Sequence, residues 1–273
     1  IFMWLWDFFF YLMKITTWNV NSVNARIEHL LRFIKKDQSD IYLLQELKTI
    51  EEGFPKEEID KAGYFSYING QKAWNGVAIL SKEELEITNN SIPEYTDINS
   101  RFIETEINLK KIKQKIKLIN IYLPNGNPID TEKFDYKITW MKKFNKYIQV
   151  LRNQNIPIII SGDFNVIPTD DDVYSPENYK NDACAHPLTR EQYRILINMG
   201  FTDLVKFFIE GKTNWTFWGY RGGGWQKGNG LRIDHFLTTP DLTDLVKTVE
   251  VNREPRGWEK PSDHTPVTVT LEN

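Results

Sequence analysis

Hydrophobic residues recur along this chain in two rhythms, one of alternate positions and one of every three to four. Met13 to Val20 alternates and ends in a polar pair, which predicts a strand. Val23 to Lys36 sets Ile27, Leu30, Leu31 and Ile34 at helical spacing. Asp40 to Glu46 and Gly76 to Leu80 are short apolar runs of the kind carried by buried strands. Arg101 to Leu109 and Ile116 to Leu123 alternate on either side of a charged turn and predict a hairpin. Thr131 to Asn153 is a long amphipathic helix bearing Phe134, Ile138, Met141, Phe144, Ile148 and Leu151. Pro157 to Phe164 reads as a core strand, Thr189 to Met199 as a helix, and Thr248 to Val251 and Thr265 to Leu271 as closing strands.

This alternation of strands and helices implies an α/β protein of two or more packed layers. The hairpin signal and the paucity of simple strand–helix–strand units favour mixed sheets over a doubly wound parallel sheet. The chain has 273 residues, 41% of them hydrophobic and 14% aromatic, enough for a sizeable core. No Gly/Ser- or Pro-rich linker interrupts the middle, and no repeat recurs at a period of roughly 20–50 residues. One domain over 13–273 is expected.

Residues 1–12 stand apart. They are nearly all aromatic or aliphatic, with Asp7 as their single charge. The run is too short to span a membrane, which takes roughly 20 residues. It also lacks the basic start and small-residue cleavage site of a signal peptide. Met13-Lys14-Ile15 reads as the start of a domain, so residues 1–12 are expected to be translated upstream sequence outside the fold. The alternative is a peripheral anchor to a membrane or partner. The intact mass of the native protein decides between them.

The formal net charge is −3, so bulk charge does not point to a nucleic-acid partner. It does not exclude one, because phosphate contacts need only a local positive patch and a bound metal adds its own charge. Cys184 is the only cysteine, which rules out a disulfide framework or a thiolate metal cluster within the chain. It fits a reducing compartment and reads as an inert small side chain. A cytoplasmic monomer with no membrane span is expected.

The chemistry-bearing residues fall at strand ends. The first strand ends Trp18-Asn19-Val20-Asn21, the second Leu44-Gln45-Glu46-Leu47-Lys48, and the core strand Ser161-Gly162-Asp163-Phe164-Asn165. The last strand is preceded by Ser262-Asp263-His264, and a further element reads Gly230-Leu231-Arg232-Ile233-Asp234-His235. Any one of these is ordinary turn chemistry. Strand ends on one edge of a sheet converge, however, so Asn19, Glu46, Asp163, Asn165, Asp234, Asp263 and His264 are expected in one pocket. Acids, amides and one histidine suit a hard cation, which takes oxygen ligands and keeps several waters. They also suit phosphodiester hydrolysis, which needs charge neutralisation, an oriented water and proton transfer. There is no Gly-rich phosphate loop with its Lys and Ser/Thr, no paired-His zinc helix and no partner for Cys184.

Six strings in order resemble the endonuclease/exonuclease/phosphatase superfamily, and within it the exonuclease III family of abasic-site endonucleases. They are Trp18-Asn19-Val20-Asn21, Leu44-Gln45-Glu46-Leu47-Lys48, Ile121-Tyr122-Leu123-Pro124-Asn125-Gly126, Gly162-Asp163-Phe164-Asn165, Leu231-Arg232-Ile233-Asp234 and Ser262-Asp263-His264-Thr265-Pro266. The resemblance runs from about Met13 to Leu271. It implies a four-layer α/β sandwich, two packed mixed β-sheets flanked by helices, with the active site at one end of the sheets. It implies Mg²⁺ (Mn²⁺ has similar ligand tastes) held chiefly by Glu46 with Asn19 close by, and Asp263 ligating directly or through water. Asp163, Asn165 and His264 also stand at the metal end. Asp163 is implied in proton transfer, and Asn165 in orienting the water or stabilising the transition state. His264 is implied on the scissile phosphate, positioned by Asp234. Tyr122 is implied on the phosphate or beside Asp163. The division of labour between Asp163 and the His264–Asp234 pair stays open.

The resemblance implies double-stranded DNA with abasic sites or blocked 3′ ends as partner. Lys48, Arg101 and Asn125 are implied as substrate contacts, Arg101 standing where the family has a phosphate-contacting arginine. Phe217, Trp218, Leu231 and Ile233 resemble the wall of an abasic-sugar pocket, with Phe217 where many relatives carry Trp. The Gly222–Gly228 segment reads as a mobile surface loop with an exposed Trp225, and Trp225 or Arg221 is expected to insert into the duplex at the lesion. Asp170, Asp171 and Asp172 are expected to lie in a solvated loop. Two other functions remain in play: a superfamily phosphatase or phosphodiesterase on inositol phosphates or lipids, and a non-catalytic DNA-binding protein on the same fold.

Overall fold

The computed structural model describes residues 12–209, 211 and 214–273. Among the described residues twelve strands form: β1 (Leu12–Asn19), β2 (Ile41–Gln45), β3 (Phe65–Asn69), β4 (Val77–Ser81), β5 (Ile87–Asn89), β6 (Phe102–Ile107), β7 (Ile116–Tyr122), β8 (Ile158–Asp163), β9 (Thr202–Asp203), β10 (Asp234–Thr238), β11 (Val246–Val251) and β12 (Val267–Glu272). They form two six-stranded sheets, ordered β11-β12-β1-β2-β4-β3 and β5-β6-β7-β8-β10-β9. Each sheet has one parallel pair at its centre, β1 with β2 and β7 with β8, and antiparallel pairs elsewhere. Both sheets are therefore mixed.

The period of two along each strand divides its side chains between two cores. Ile15, Leu43, Val77 and Ile79 of the first sheet meet Leu118, Ile159 and Phe236 of the second in a buried layer between the sheets. The opposite face of the first sheet carries Trp18, Tyr42 and Leu44 beneath α1 (Ile27–Asp37) and α2 (Lys56–Lys61). That of the second carries Ile119, Ile121 and Ile160 beneath α3 (Glu132–Asn153), whose Trp140, Met141, Phe144 and Ile148 pack on them. After the short α4 (Pro176–Tyr179), α5 (Pro187–Asn198) adds Tyr193 and Leu196 to the same cluster. Helices, sheet, sheet and helices make the expected four layers.

Buried amides stitch the two sheets together. Asn120 of β7 donates to the carbonyls of Leu44 (3.0 Å) and Ala78 (2.9 Å), and its oxygen accepts from Gln45 Nε2 at 2.7 Å. A buried hydrogen bond to a main-chain carbonyl fixes register as well as distance. These three bonds set the relative position of β2 and β7 close to where both strands end.

Every strand and helix expected from periodicity is present, with ends shifted by a few residues. The strands β3, β5, β9 and β10 were not anticipated. Leu12 already pairs with Glu272, so the sheet begins one residue before the expected start. The rest of the expected N-terminal extension, residues 1–11, lies outside the described residues.

Candidate active site

Two parallel strand pairs place four strand ends on one edge. β1, β2, β7 and β8 all finish there. β10 begins there because it runs antiparallel to β8, with Asp234 opposite Asp163. β12 runs antiparallel to β1, so Asp263 and His264 precede it on the same edge. The backbone then leaves regular geometry. Asn21, Ser22, Glu46, Lys48 and Asn165 all have positive φ between 47° and 84°. Left-handed backbone is uncommon for residues with a Cβ and re-aims the side chain. Here it folds the strand ends over the junction between the sheets.

The structure brings Asn19, Glu46, Asp163, Asn165, Asp234, Asp263 and His264 together. Asn19 Nδ2 donates to Glu46 Oε2 at 3.0 Å and to Asp163 Oδ2 at 2.9 Å. His264 Nδ1 bonds Asp234 Oδ2 at 2.9 Å, and Thr216 Oγ1 donates to that same oxygen at 2.5 Å. His264 Nε2 lies 3.7 Å from Asp163 Oδ2. The Asn165 amide nitrogen donates to Asp163 Oδ1 at 2.9 Å, while its side chain accepts from Asn125 Nδ2 and donates to the Leu123 carbonyl, both at 3.0 Å. Lys48 reaches Glu46 Oε1 (3.0 Å) and Asn21 Oδ1 (2.5 Å), and Asn21 Nδ2 donates to Asp263 Oδ1 at 2.8 Å.

Burial and mutual charge set the electrostatics. Burial, helped by Asp234, pushes the Asp163 carboxyl up to about 7 against the pull of His264. Burial opposes charge on His264, but Asp234 and Asp163 outweigh it and raise the imidazole to about 10. His264 is thus an imidazolium at neutral pH. Burial, then the charges of Glu46 and Asp163, raise the Tyr122 phenol well above its ordinary value, so it stays a neutral donor.

A cation has suitable donors here. Oxygens of Asp163 and Asp234 lie within 4.8 Å of each other and of a nitrogen of His264, which as an imidazolium offers a cation no lone pair and leaves ligation to the carboxylates. Glu46 is partly exposed and adds a carboxylate that solvent can reach. Oxygen donors in this number suit a hard divalent ion.

The substrate-side residues divide. Arg101 donates to the Tyr122 carbonyl at 3.1 Å and lies 5.0 Å over its ring. Asn125 and Arg221 are exposed. Phe217 meets His264 edge-on at 4.9 Å and joins Leu231 and Ile233 in one apolar cluster with Ile167 and Val173. Leu231 and Ile233 are almost fully buried, so Phe217 is the member that faces outward. Trp218 is a correction. It is fully buried, and its main chain binds the Asp263 carbonyl and accepts from Arg256. Its main chain holds the Asp263 segment, and its indole packs against Trp225 and Arg253 inside the protein instead of facing a substrate. Trp225 is also corrected, from exposed to half-buried. It packs edge-on against Trp218 at 4.9 Å, because left-handed Gly222, Gly223 and Gly228 bracket a short helical turn over Gly224–Lys227. The acidic run divides too. Asp170 and Asp171 are solvated, but Asp172 is buried and pairs with Arg232 at 2.7 Å.

Sequence reasoning missed Asn21, Thr216 and Trp74. Asn21 belongs to the polar end of β1 and was visible there. Thr216 anchors Asp234 only through pairing of its segment with Leu231, which nothing local announces. Trp74 is 69% exposed on the loop joined to Lys48, whose ammonium lies 5.8 Å from its ring.

Comparison with known proteins agrees with this geometry. The Endonuclease/Exonuclease/phosphatase family matches residues 16–264. The exodeoxyribonuclease III of Haemophilus influenzae is 33% identical over 93% of this chain and 98% of its own length. A Neisseria 3′ phosphatase bound to a product DNA hairpin superposes with a TM-score of 0.89 at 33% identity, over 96% of this chain and 100% of that one. An AP endonuclease from Archaeoglobus fulgidus gives 0.88 at 33% identity, with the same coverage. The chain belongs to the endonuclease/exonuclease/phosphatase family, in its exonuclease III and AP endonuclease branch.

Proposed function

We propose that the protein is a Mg²⁺-dependent DNA phosphodiesterase that incises the strand 5′ of an abasic site and trims or cleans 3′ ends. The observation that carries this reading is the junction of Asn19, Glu46, Asp163 and the His264–Asp234 pair at one edge of both sheets. Relatives named for exodeoxyribonuclease III, 3′ phosphatase and AP endonuclease activity support the substrate class.

Glu46 and Asn19 would hold the cation, with Asp263 as a further ligand directly or through water. Mg²⁺ (or Mn²⁺) held there would neutralise charge on the phosphate. His264, charged and fixed by Asp234 and Thr216, donates to a non-bridging phosphate oxygen. Asp163, with its raised pKa, exchanges a proton with the attacking water or the leaving oxygen, and Asn165 orients that water. Tyr122, braced by Arg101, donates to the phosphate. Such preorganised donors act on charge that develops in the transition state.

Phe217, backed by Leu231 and Ile233, lines the place for a baseless sugar, which flips out most cheaply because its base is already gone. Asn125, Lys48 and the exposed Arg221 contact the flanking strand. The domain is residues 13–273, acting as a monomer in the cytoplasm. Among the described residues, no helix is long and apolar enough to cross a membrane.

The test is incision of a duplex carrying one abasic analogue by wild type and by Asp163→Asn, each stripped of metal and then given Mg²⁺. The reading predicts incision only by metal-loaded wild type. Phosphate release from an inositol phosphate or lipid without DNA incision would replace it, as would DNA binding with no cleavage.

A further inference from the structure

Lys137 lies in the second turn of α3, where the amphipathic pattern would place it among core residues, and its side chain is wholly buried. Its Nζ donates to the carbonyls of Pro124 (3.0 Å), Asn125 (3.1 Å) and Asn165 (2.6 Å). Three carbonyls need three hydrogens. An ammonium has three and a neutral amine two, so this geometry specifies the charged form. Among the described residues, the Nζ of Lys137 meets these carbonyls and no carboxylate within ion-pairing distance. Burial lowers the pKa of this ammonium, and an ion without a counter-charge is costly to bury even when it is hydrogen-bonded, so the three carbonyls carry the cost of keeping it charged.

What it serves is visible in the carbonyls it gathers. Pro124 and Asn125 follow β7, and Asn165 follows β8, so one ammonium ties together the two loops that leave the central parallel pair. Gly126 closes the lid on its stem. With φ at +84°, it lies so near that a Cβ there would stand 2.5 Å from Lys137 Cδ. The tied residues are those that hold the acid. Asn125 fixes the Asn165 side chain, and the Asn165 amide fixes Asp163 Oδ1.

We propose that Lys137 is a positioning residue for the phosphodiesterase reaction, acting from beneath the site by locking the Asn125 and Asn165 loops and through them the Asp163 carboxylate. This rests on the function proposed above. It also makes the long helix α3 part of the catalytic apparatus, although no α3 side chain was assigned to it.

The experiment compares Lys137→Met, which keeps the length and removes the charge, with Leu151→Ala, which opens a cavity in the same helix away from the site. Both are loaded with Mg²⁺ and measured on the abasic duplex, with melting temperatures recorded. Lys137→Met should lose about 100-fold in kcat with KM within about twofold, the size expected when a preorganised group is loosened. Leu151→Ala should keep kcat near wild type despite an equal or larger fall in melting temperature. Equal kcat for Lys137→Met and Leu151→Ala overturns the inference. Nitrogen-detected NMR of ¹⁵N-lysine-labelled wild type supplies the second measurement, independent of whether the variant folds. The inference predicts an Nζ with three slowly exchanging hydrogens at pH 7, and a neutral or rapidly exchanging amine overturns it. Inactivity of the wild type on every abasic duplex would instead overturn the proposed function.

Discussion

Asn19 Nδ2 stands 2.9 Å from Asp163 Oδ2, and the bond crosses from one sheet to the other. The same nitrogen serves Glu46 Oε2 at 3.0 Å. One neutral amide thus holds two carboxylates at a shared site, satisfying both without cancelling either charge. Asn19→Ala removes the shared donor of Glu46 and Asp163 and leaves both carboxyl groups without it. A fall of about 10–100-fold in kcat is expected, with little change in DNA affinity, since the contact is to the catalytic groups. Steady-state incision kinetics check this, and a variant with unchanged kcat would remove Asn19 from the apparatus.

The His264–Asp234 pair makes a prediction about pH. With its imidazole raised to about 10, wild-type His264 remains a charged donor through neutral pH and discharges only near that value. Asp234→Asn removes the largest favourable charge, so the imidazole should titrate near its ordinary range around 6.5. Wild type and variant share the titration of Asp163 near 7, so the ratio of variant to wild-type activity should decline as pH rises through about 6–7. Rate profiles from pH 5 to 9 on the abasic duplex read this directly. Parallel profiles would mean that Asp234 does not govern the charge of His264.

His235 carries a stability prediction of the opposite sign. Burial and the neighbouring Arg232 hold its imidazole down at about 4. Below the ordinary value of 6.5, the unfolded chain takes up a proton that the folded chain refuses. Stability is thus full above 6.5 and is lost as pH falls toward 4, by about 3 kcal/mol across the window. Urea unfolding at pH 7.5 and 4.5 should show His235→Gln losing less than wild type between the two. An identical loss would place the acid sensitivity elsewhere.

Gly162 precedes Asp163 and has φ +142°. A Cβ built there meets the Ile121 carbonyl oxygen at 2.0 Å, which is main chain and cannot rotate aside. Gly162→Ala must part β7 from β8 or displace Asp163. A loss of roughly 3 kcal/mol or more is expected, with activity falling further than stability alone requires. Thermal melting and kcat at a temperature where the variant is folded separate the two effects.

Much of the fold was legible because central strands buried on both faces leave continuous apolar runs, and α1, α3 and α5 leave periodic ones. The edge strands were not. β5 and β9 have three and two residues, too few for a period, and β3 is half-exposed along its length. The candidate site was legible for a related reason. Acids and amides at the ends of apolar strands are conspicuous, and parallel central pairs put those ends together. Aromatic residues were harder. Trp218 and Trp225 follow one another through a glycine-rich stretch that looks open in sequence. Left-handed glycines fold it back, so one indole is buried and the other half-covered. Asp172 looked like its solvated neighbours because its partner, Arg232, is distant in sequence.

The most direct measurement uses a 5′-labelled duplex with a single tetrahydrofuran residue, metal-stripped protein, and products resolved to one nucleotide. The account predicts no cleavage before Mg²⁺ is added. After addition, it predicts that the first labelled fragment to form ends in a 3′ hydroxyl immediately 5′ of the lesion, with any shorter fragments arising from it later by trimming, and that all are lost in Glu46→Ala. Cleavage without metal, cleavage at random positions, or an intact strand with Mg²⁺ present would contradict it.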